Sequence, residues 1–128
     1  CRKETEATEE LEKLIDDALE TLPFHIKEKL HYKKPYTIYR QNGCEKCNKK
    51  GFSGRTGLFE IIEVNEEIKR SIEKGEAEID IRKHLKNQGF INLRQDGVLK
   101  ALECLVVLEE IIKITQQLCL ITFKINLF

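Results

Sequence analysis

Cys44-Glu-Lys-Cys47, preceded by Gly43 and followed by Lys49 and Lys50, is the part of the chain whose residue types and spacing can do chemistry. Two thiols two residues apart can grip one tetrahedral ion, with the N–H groups of a tight turn aimed at the sulfurs. Lys46, Lys49 and Lys50 are placed to help keep those thiols deprotonated. A closed zinc site needs four ligands, of which this pair supplies two, and Cys1 is a natural third. Two other readings stand beside this one. The pair could be small turn residues in a reduced protein, or a redox couple, although a redox pair sits at the start of a helix in a βαβ unit and this one is expected between two strands. His25, His31 and His84 are substitute ligands only in principle, because none lies at a short spacing from a cysteine. Cys104 and Cys119 occur in apolar surroundings and read as buried thiols.

Phosphate chemistry is absent from the pattern. A phosphate-cradling G-x-x-x-x-G-K-[ST] loop does not occur, and Gly51, Gly54 and Gly57 precede Leu58 of an expected strand rather than a helix. No residue is assigned to catalysis. Arg55, in Gly54-Arg-Thr-Gly57, is read either as a contact to a partner or as a surface guanidinium paired with Glu60 or Glu63 across a ribbon. Asp96 is expected to bracket a helix beginning near Asn92.

The chain has 128 residues, enough for one domain or two very small ones. With 22 basic and 22 acidic side chains its net charge is zero, so no whole-molecule field draws it to nucleic acid or to an anionic membrane. That zero hides a segregation: residues 1–20 carry −5, residues 21–57 carry +7 and the remainder −2. The odd count of five cysteines, with one C-x-x-C pair, suits a reducing compartment with a metal site better than a disulfide scaffold. Methionine is missing altogether, so the chain is either processed at its N-terminus or cut from something longer; the second is the working reading, a mature lipoprotein beginning at Cys1 being the alternative. No apolar run is long enough to span a bilayer.

The elements that must position the cysteines follow from periodicity. Leu11, Leu14, Ile15, Ala18, Leu19 and Leu22 share one helical face over about 9–21, and Pro23 starts a short second helix with Phe24, Ile26 and Leu30 inward. Strands are expected at 37–40 and 57–64, making a ribbon whose turn carries the cysteines. Helices follow over about 65–74, 77–88, 92–103 and 107–117, while the apolar tail from 118 has no clear period. The expected fold is α+β: a small two-stranded zinc-knuckle ribbon with N-terminal helices (1–64), an α-helical C-terminal bundle (65–117) and an unassigned tail (118–128).

The stretch from Tyr39 through Cys44, Cys47, Gly51, Gly54 and Gly57 to Glu60 closely resembles the tetracysteine segment of the type II secretion and type IV pilus assembly ATPases, the general secretory pathway E family. Gly89-Phe-Ile-Asn-Leu-Arg-Gln-Asp-Gly-Val-Leu-Lys100, followed by Leu108-Glu-Glu-Ile-Ile-Lys-Ile-Thr115, is similar to the same family's C-terminal helical signature. The resemblance implies the C-terminal part of a cytoplasmic hexameric motor that works at the inner membrane, with ATP and Mg²⁺ bound by parts of the parent outside these residues. It also implies zinc held by Cys1, Cys44 and Cys47, which match three of the family's four cysteines. The sequence departs from the pattern at Cys104, where the family has glycine, and at Val106 and Val107, where it has residues of a capping box.

The function expected from this resemblance is a zinc-stabilised, protein-binding accessory region peripheral to the inner membrane. Its partners are the rest of the motor, neighbouring subunits and the platform protein. Lys46, Lys49, Lys50, Arg55, Arg94 and Asp96 are the interaction candidates. The alternative is a zinc-ribbon module binding nucleic acid through the +7 block, with Tyr32, Tyr36, Tyr39 and Phe52 as stacking rings.

Overall fold

The computed structural model describes residues 2–125, with side chains for residues 2–116. Cys1, the Cys119 side chain and residues 126–128 therefore lie outside the described residues. Among the described residues two antiparallel strands and six α-helices make an α+β fold: β1 (Arg2–Glu6), α1 (Glu9–Glu20), α2 (Phe24–Lys27), β2 (Thr37–Gln41), α3 (Glu66–Glu73), α4 (Glu78–Asn87), α5 (Leu93–Leu102) and α6 (Leu108–Ile125). Among the described residues no helix is long and apolar enough to cross a membrane.

The ribbon differs from the expected one. β2 pairs with β1, Arg2 lying opposite Gln41 and Glu6 opposite Thr37. The connection between the strands is the helical pair α1 and α2, and the cysteine turn follows β2 instead of closing the ribbon. Residues 57–64 form no strand, and Phe59, Ile61, Ile62 and Val64 stay exposed. The segment instead lies against α5, whose side chains take up two of its backbone groups. The Phe59 N–H donates to Asp96 Oδ2 at 2.9 Å, Lys100 Nζ donates to the Gly57 carbonyl at 2.9 Å, and the same ammonium sits 4.8 Å from the centre of the Phe59 ring.

The core forms where α1, β2, α5 and α6 meet. Ile15, Ala18, Tyr36, Ile38, Val98, Ala101, Leu102 and Leu108 are buried together, and Leu11 and Leu19 pack against them, as the helical face of α1 requires. Each fully buried aliphatic side chain such as Ile15 or Ile38 contributes about 1.5–3 kcal/mol relative to exposure. Phe24 is a correction: expected inward, it is 74% exposed, because α2 is a single turn whose approach is anchored by the buried Leu22 just before it.

α5 is fastened at its start. The Asn92 side chain accepts from the Gln95 N–H at 2.9 Å, and Gln95 Oε1 accepts from the Asn92 N–H at 2.9 Å, a reciprocal cap. Gln95 is itself buried, and its Nε2 donates to Thr21 Oγ1 at 2.9 Å, tying α5 to the end of α1. Gly97 lets α5 approach α6 closely, since a Cβ there would lie 2.4 Å from Ile111 Cγ2.

The break between α5 and α6 survives the loss of the Thr-type cap. The Leu105 N–H donates to the Lys100 carbonyl at 2.9 Å and the Cys104 N–H to the Ala101 carbonyl at 3.1 Å, the paired bonds of a Schellman ending. Cys104 takes the left-handed position with φ 64°. The Val107 carbonyl then accepts from Glu110 and Ile111, so α6 starts on a backbone acceptor with Glu109 and Glu110 in its first turn. Its helical backbone runs to Ile125, through residues that lack a clear period in the sequence.

Candidate functional site

The cysteine turn is built by one 3₁₀ turn, Glu45–Cys47, followed by two left-handed residues, Asn48 (φ 52°) and Lys49 (φ 62°). The Lys49 N–H returns to the Cys44 carbonyl at 2.9 Å. Closing the turn brings Lys49 so near Gly43 that a Cβ at 43 would stand 2.2 Å from the Lys49 carbonyl oxygen, which is why glycine precedes the pair.

Within this turn Cys47 Sγ accepts two backbone N–H bonds, from Cys44 and from Gly51, each at 3.2 Å. Those donors, Cys44 first, hold the Cys47 thiol below its ordinary range. The expected lysine effect is thus replaced by a backbone one. Cys47 and Cys104 carry free thiols, whereas Cys44 is disulfide-bonded. Among the described residues no group of three His, Cys, Asp or Glu side chains is arranged to hold a metal ion. His84 is instead engaged between α3 and α4, with Nδ1 2.7 Å from Glu67 Oε1 and Nε2 3.7 Å from Glu76 Oε2.

The other candidates divide. Lys46, Lys49, Lys50 and Arg55 are exposed, and among the described residues none of them forms an ion pair, so Arg55 does not pair with Glu60 or Glu63. Asp96 is turned inward to the protein: besides the Phe59 N–H it holds Lys100 at 2.5 Å. Arg94 is half-buried on α5.

Lys46, Cys47 and Arg55 share a cleft of about 950 Å³ with Arg2, Tyr39 and Cys104. Arg2 lies 4.9 Å from the centre of the Tyr39 ring and its Nη1 donates to the Cys104 carbonyl at 3.3 Å. Tyr39 Oη donates to Glu4 Oε1 at 2.9 Å. Its phenol is pushed up to about 12, first by its hydrogen bond with Cys104 and then by Glu4. Sequence reasoning missed this cleft. The one available signal was Cys104 standing at a helix-ending glycine position, and nothing in Arg2-Lys-Glu-Thr-Glu6 announced a strand.

These features define a small α+β unit that carries a cysteine turn and a glycine-rich loop between β2 and α3. The chain belongs to the type II/IV secretion system protein family, whose model matches residues 5–113. It is 31% identical over 117 residues to the type II secretion system ATPase E of Vibrio cholerae, covering 91% of this chain and 20% of that one. It is 37% identical over 81 residues to the type II secretion system protein E of Dickeya dadantii (63% and 16%), and 35% identical over 75 residues to the type IV pilus assembly ATPase PilB of Thermus thermophilus (59% and 8%). The chain spans a fifth or less of the length of these relatives.

Proposed function

We propose that this chain is a zinc-stabilised accessory region of a secretion or pilus-assembly motor. In this reading it binds other proteins and passes ATP-driven motion to an inner-membrane assembly platform. The observation that carries the reading is family membership over residues 5–113, with relatives named as secretion and pilus ATPases. The nucleic-acid alternative gains nothing from those relatives.

Cys44 and Cys47, with Cys1, are the residues proposed to hold zinc. The donor chemistry of Cys47 suits a thiolate ligand, because two N–H groups already point at its sulfur. Cys44 serves only once its disulfide is reduced. When bound, zinc supplies a cross-link and no catalysis. The chain's own contribution would be the turn that carries the pair, closed by the Lys49 to Cys44 backbone bond.

The test is zinc stoichiometry of a full-length motor carrying this region, measured under reducing conditions beside Cys44→Ser and Cys47→Ser variants. Stoichiometric zinc lost in both variants, with a lower melting temperature, is expected. Unchanged melting after chelation refutes a structural metal, and ATP turnover by the isolated 128-residue chain refutes the accessory role.

A further inference from the structure

We propose that the cleft beside the cysteine turn is a docking site for an acidic, apolar segment of a partner protein, its carboxylates meeting Lys46 and Arg55 and its apolar side chains meeting Phe52, Leu105 and Ile114. The cysteine turn and glycine loop form one wall, and the break between α5 and α6 with the first turns of α6 forms the other. At about 950 Å³ the cleft is at the upper end of ligand-sized cavities, so it accepts several side chains together.

Charge selects the occupant. The lining includes four basic side chains and a single acidic one, Glu110. Arg40 is answered by Glu109 at 3.4 Å, Arg2 is laid over Tyr39, and Glu110 is held by Lys113 at 3.0 Å. What remains is Lys46 and Arg55, exposed and in no ion pair among the described residues. Charges left without intramolecular partners beside a cleft wall can be matched by a partner at no cost in existing bonds.

Shape and polarity select peptide over nucleic acid. Phe52, Leu105 and Ile114 are 56%, 57% and 43% exposed, and Val106 continues the aliphatic wall. Bases stack on aromatic faces, and among the described residues lining the cleft Phe52 is the one uncovered ring, since Arg2 lies over Tyr39. An aliphatic wall rimmed by unpaired cations suits a segment alternating carboxylates with Leu, Ile or Phe.

This inference rests on the protein-binding part of the proposed function and fails separately from it, because zinc content is read independently of peptide capture. The experiment selects from a phage-displayed library of random peptides on the whole chain. The recovered peptides are then measured by fluorescence anisotropy against the chain, a Lys46→Glu/Arg55→Glu variant and a Leu105→Ser variant. Circular dichroism checks that each variant is folded. Enrichment of Asp and Glu beside apolar residues is expected, with binding weakened at least about tenfold in the charge-reversed variant and weakened also in Leu105→Ser. Recovery of no peptide, recovery without acidic enrichment, equal binding to the charge-reversed variant, or displacement by an oligothymidine strand overturns it.

Discussion

Cys104 holds a left-handed backbone, φ 64°, which costs a residue with a Cβ roughly 1–2 kcal/mol. The conformation is imposed by its place in the chain, because the paired bonds to Lys100 and Ala101 need it to end α5. Glycine gives up more backbone freedom on folding than cysteine does, so the net gain from removing the Cβ is smaller than the full penalty. Cys104→Gly is therefore predicted to stabilise the chain by about 0.5–1 kcal/mol, raising the melting temperature by a few degrees. Cys104→Ala keeps the penalty and loses the sulfur, so it should gain nothing. Equal melting of the two variants would show that the left-handed strain is not what the glycine relieves. The same substitution should bring the Tyr39 phenol down from about 12, read as phenolate absorbance during alkaline titration.

Helices were legible in the sequence and the ribbon was not. Ile15 and Ala18 on α1, Leu22 just beyond its end, and Val98 and Leu102 on α5 are buried as their spacing requires, and Asn65 and Asn92 both cap. β1 carries no apolar side chain at all, so its pairing comes from tertiary placement by α1 and α2, a signal that no local window contains. Conversely, Gly57–Val64 has the composition of a strand, but its Phe59 N–H and Gly57 carbonyl are taken by Asp96 and Lys100 of α5. Asp96→Ala is predicted to speed amide hydrogen exchange at Phe59 while leaving the Ile15 amide protected, and combining it with Lys100→Ala should add less than the two effects separately. Unchanged exchange at Phe59 would remove Asp96 from this role. The loop before β2 is fastened in a similar way: Lys34 and Tyr36 both donate to Asp16 on α1. The Lys34 hydrogen bond, followed by that of Tyr36, holds Asp16 below 3.8, while Lys34 and Tyr36 are raised above 10.5 and 10.0. A depressed acid stabilises above its unfolded value and loses that contribution as pH falls through the folded one; the raised groups lose theirs as pH climbs past about 10. Asp16→Asn is thus expected to melt lower near neutral pH and to converge with the parent chain as pH falls below 3.8. Parallel melting curves across that range would refute the linkage.

Across the whole molecule, the zero net charge is a cancellation made locally and incompletely. Folding brings the acidic first segment against the basic second one, with β1 on β2 and Asp16 on Lys34, and it spends Arg40 on Glu109. Lys46, Lys49, Lys50 and Arg55 are left exposed on the cysteine turn and glycine loop without ion pairs among the described residues. Fields from exposed charges persist over about 10 Å at 0.1 M salt, so such a cluster acts as a patch even on a neutral protein. The chain is predicted to be retained by a cation-exchange resin at low salt near neutral pH, where its net charge alone gives no reason for retention, and to elute as salt shortens that range. Replacing the four by glutamine should abolish retention. The matching control replaces Lys69, Arg70, Lys74 and Lys86, which are exposed on or beside α3 and α4, also by glutamine. Both variants carry the same net charge, so a resin that sees only total charge must release them together. Retention of the second and loss of the first would locate the positive field at the cysteine turn and along the proposed docking cleft; co-elution would mean that the charges are spread too evenly to steer a partner.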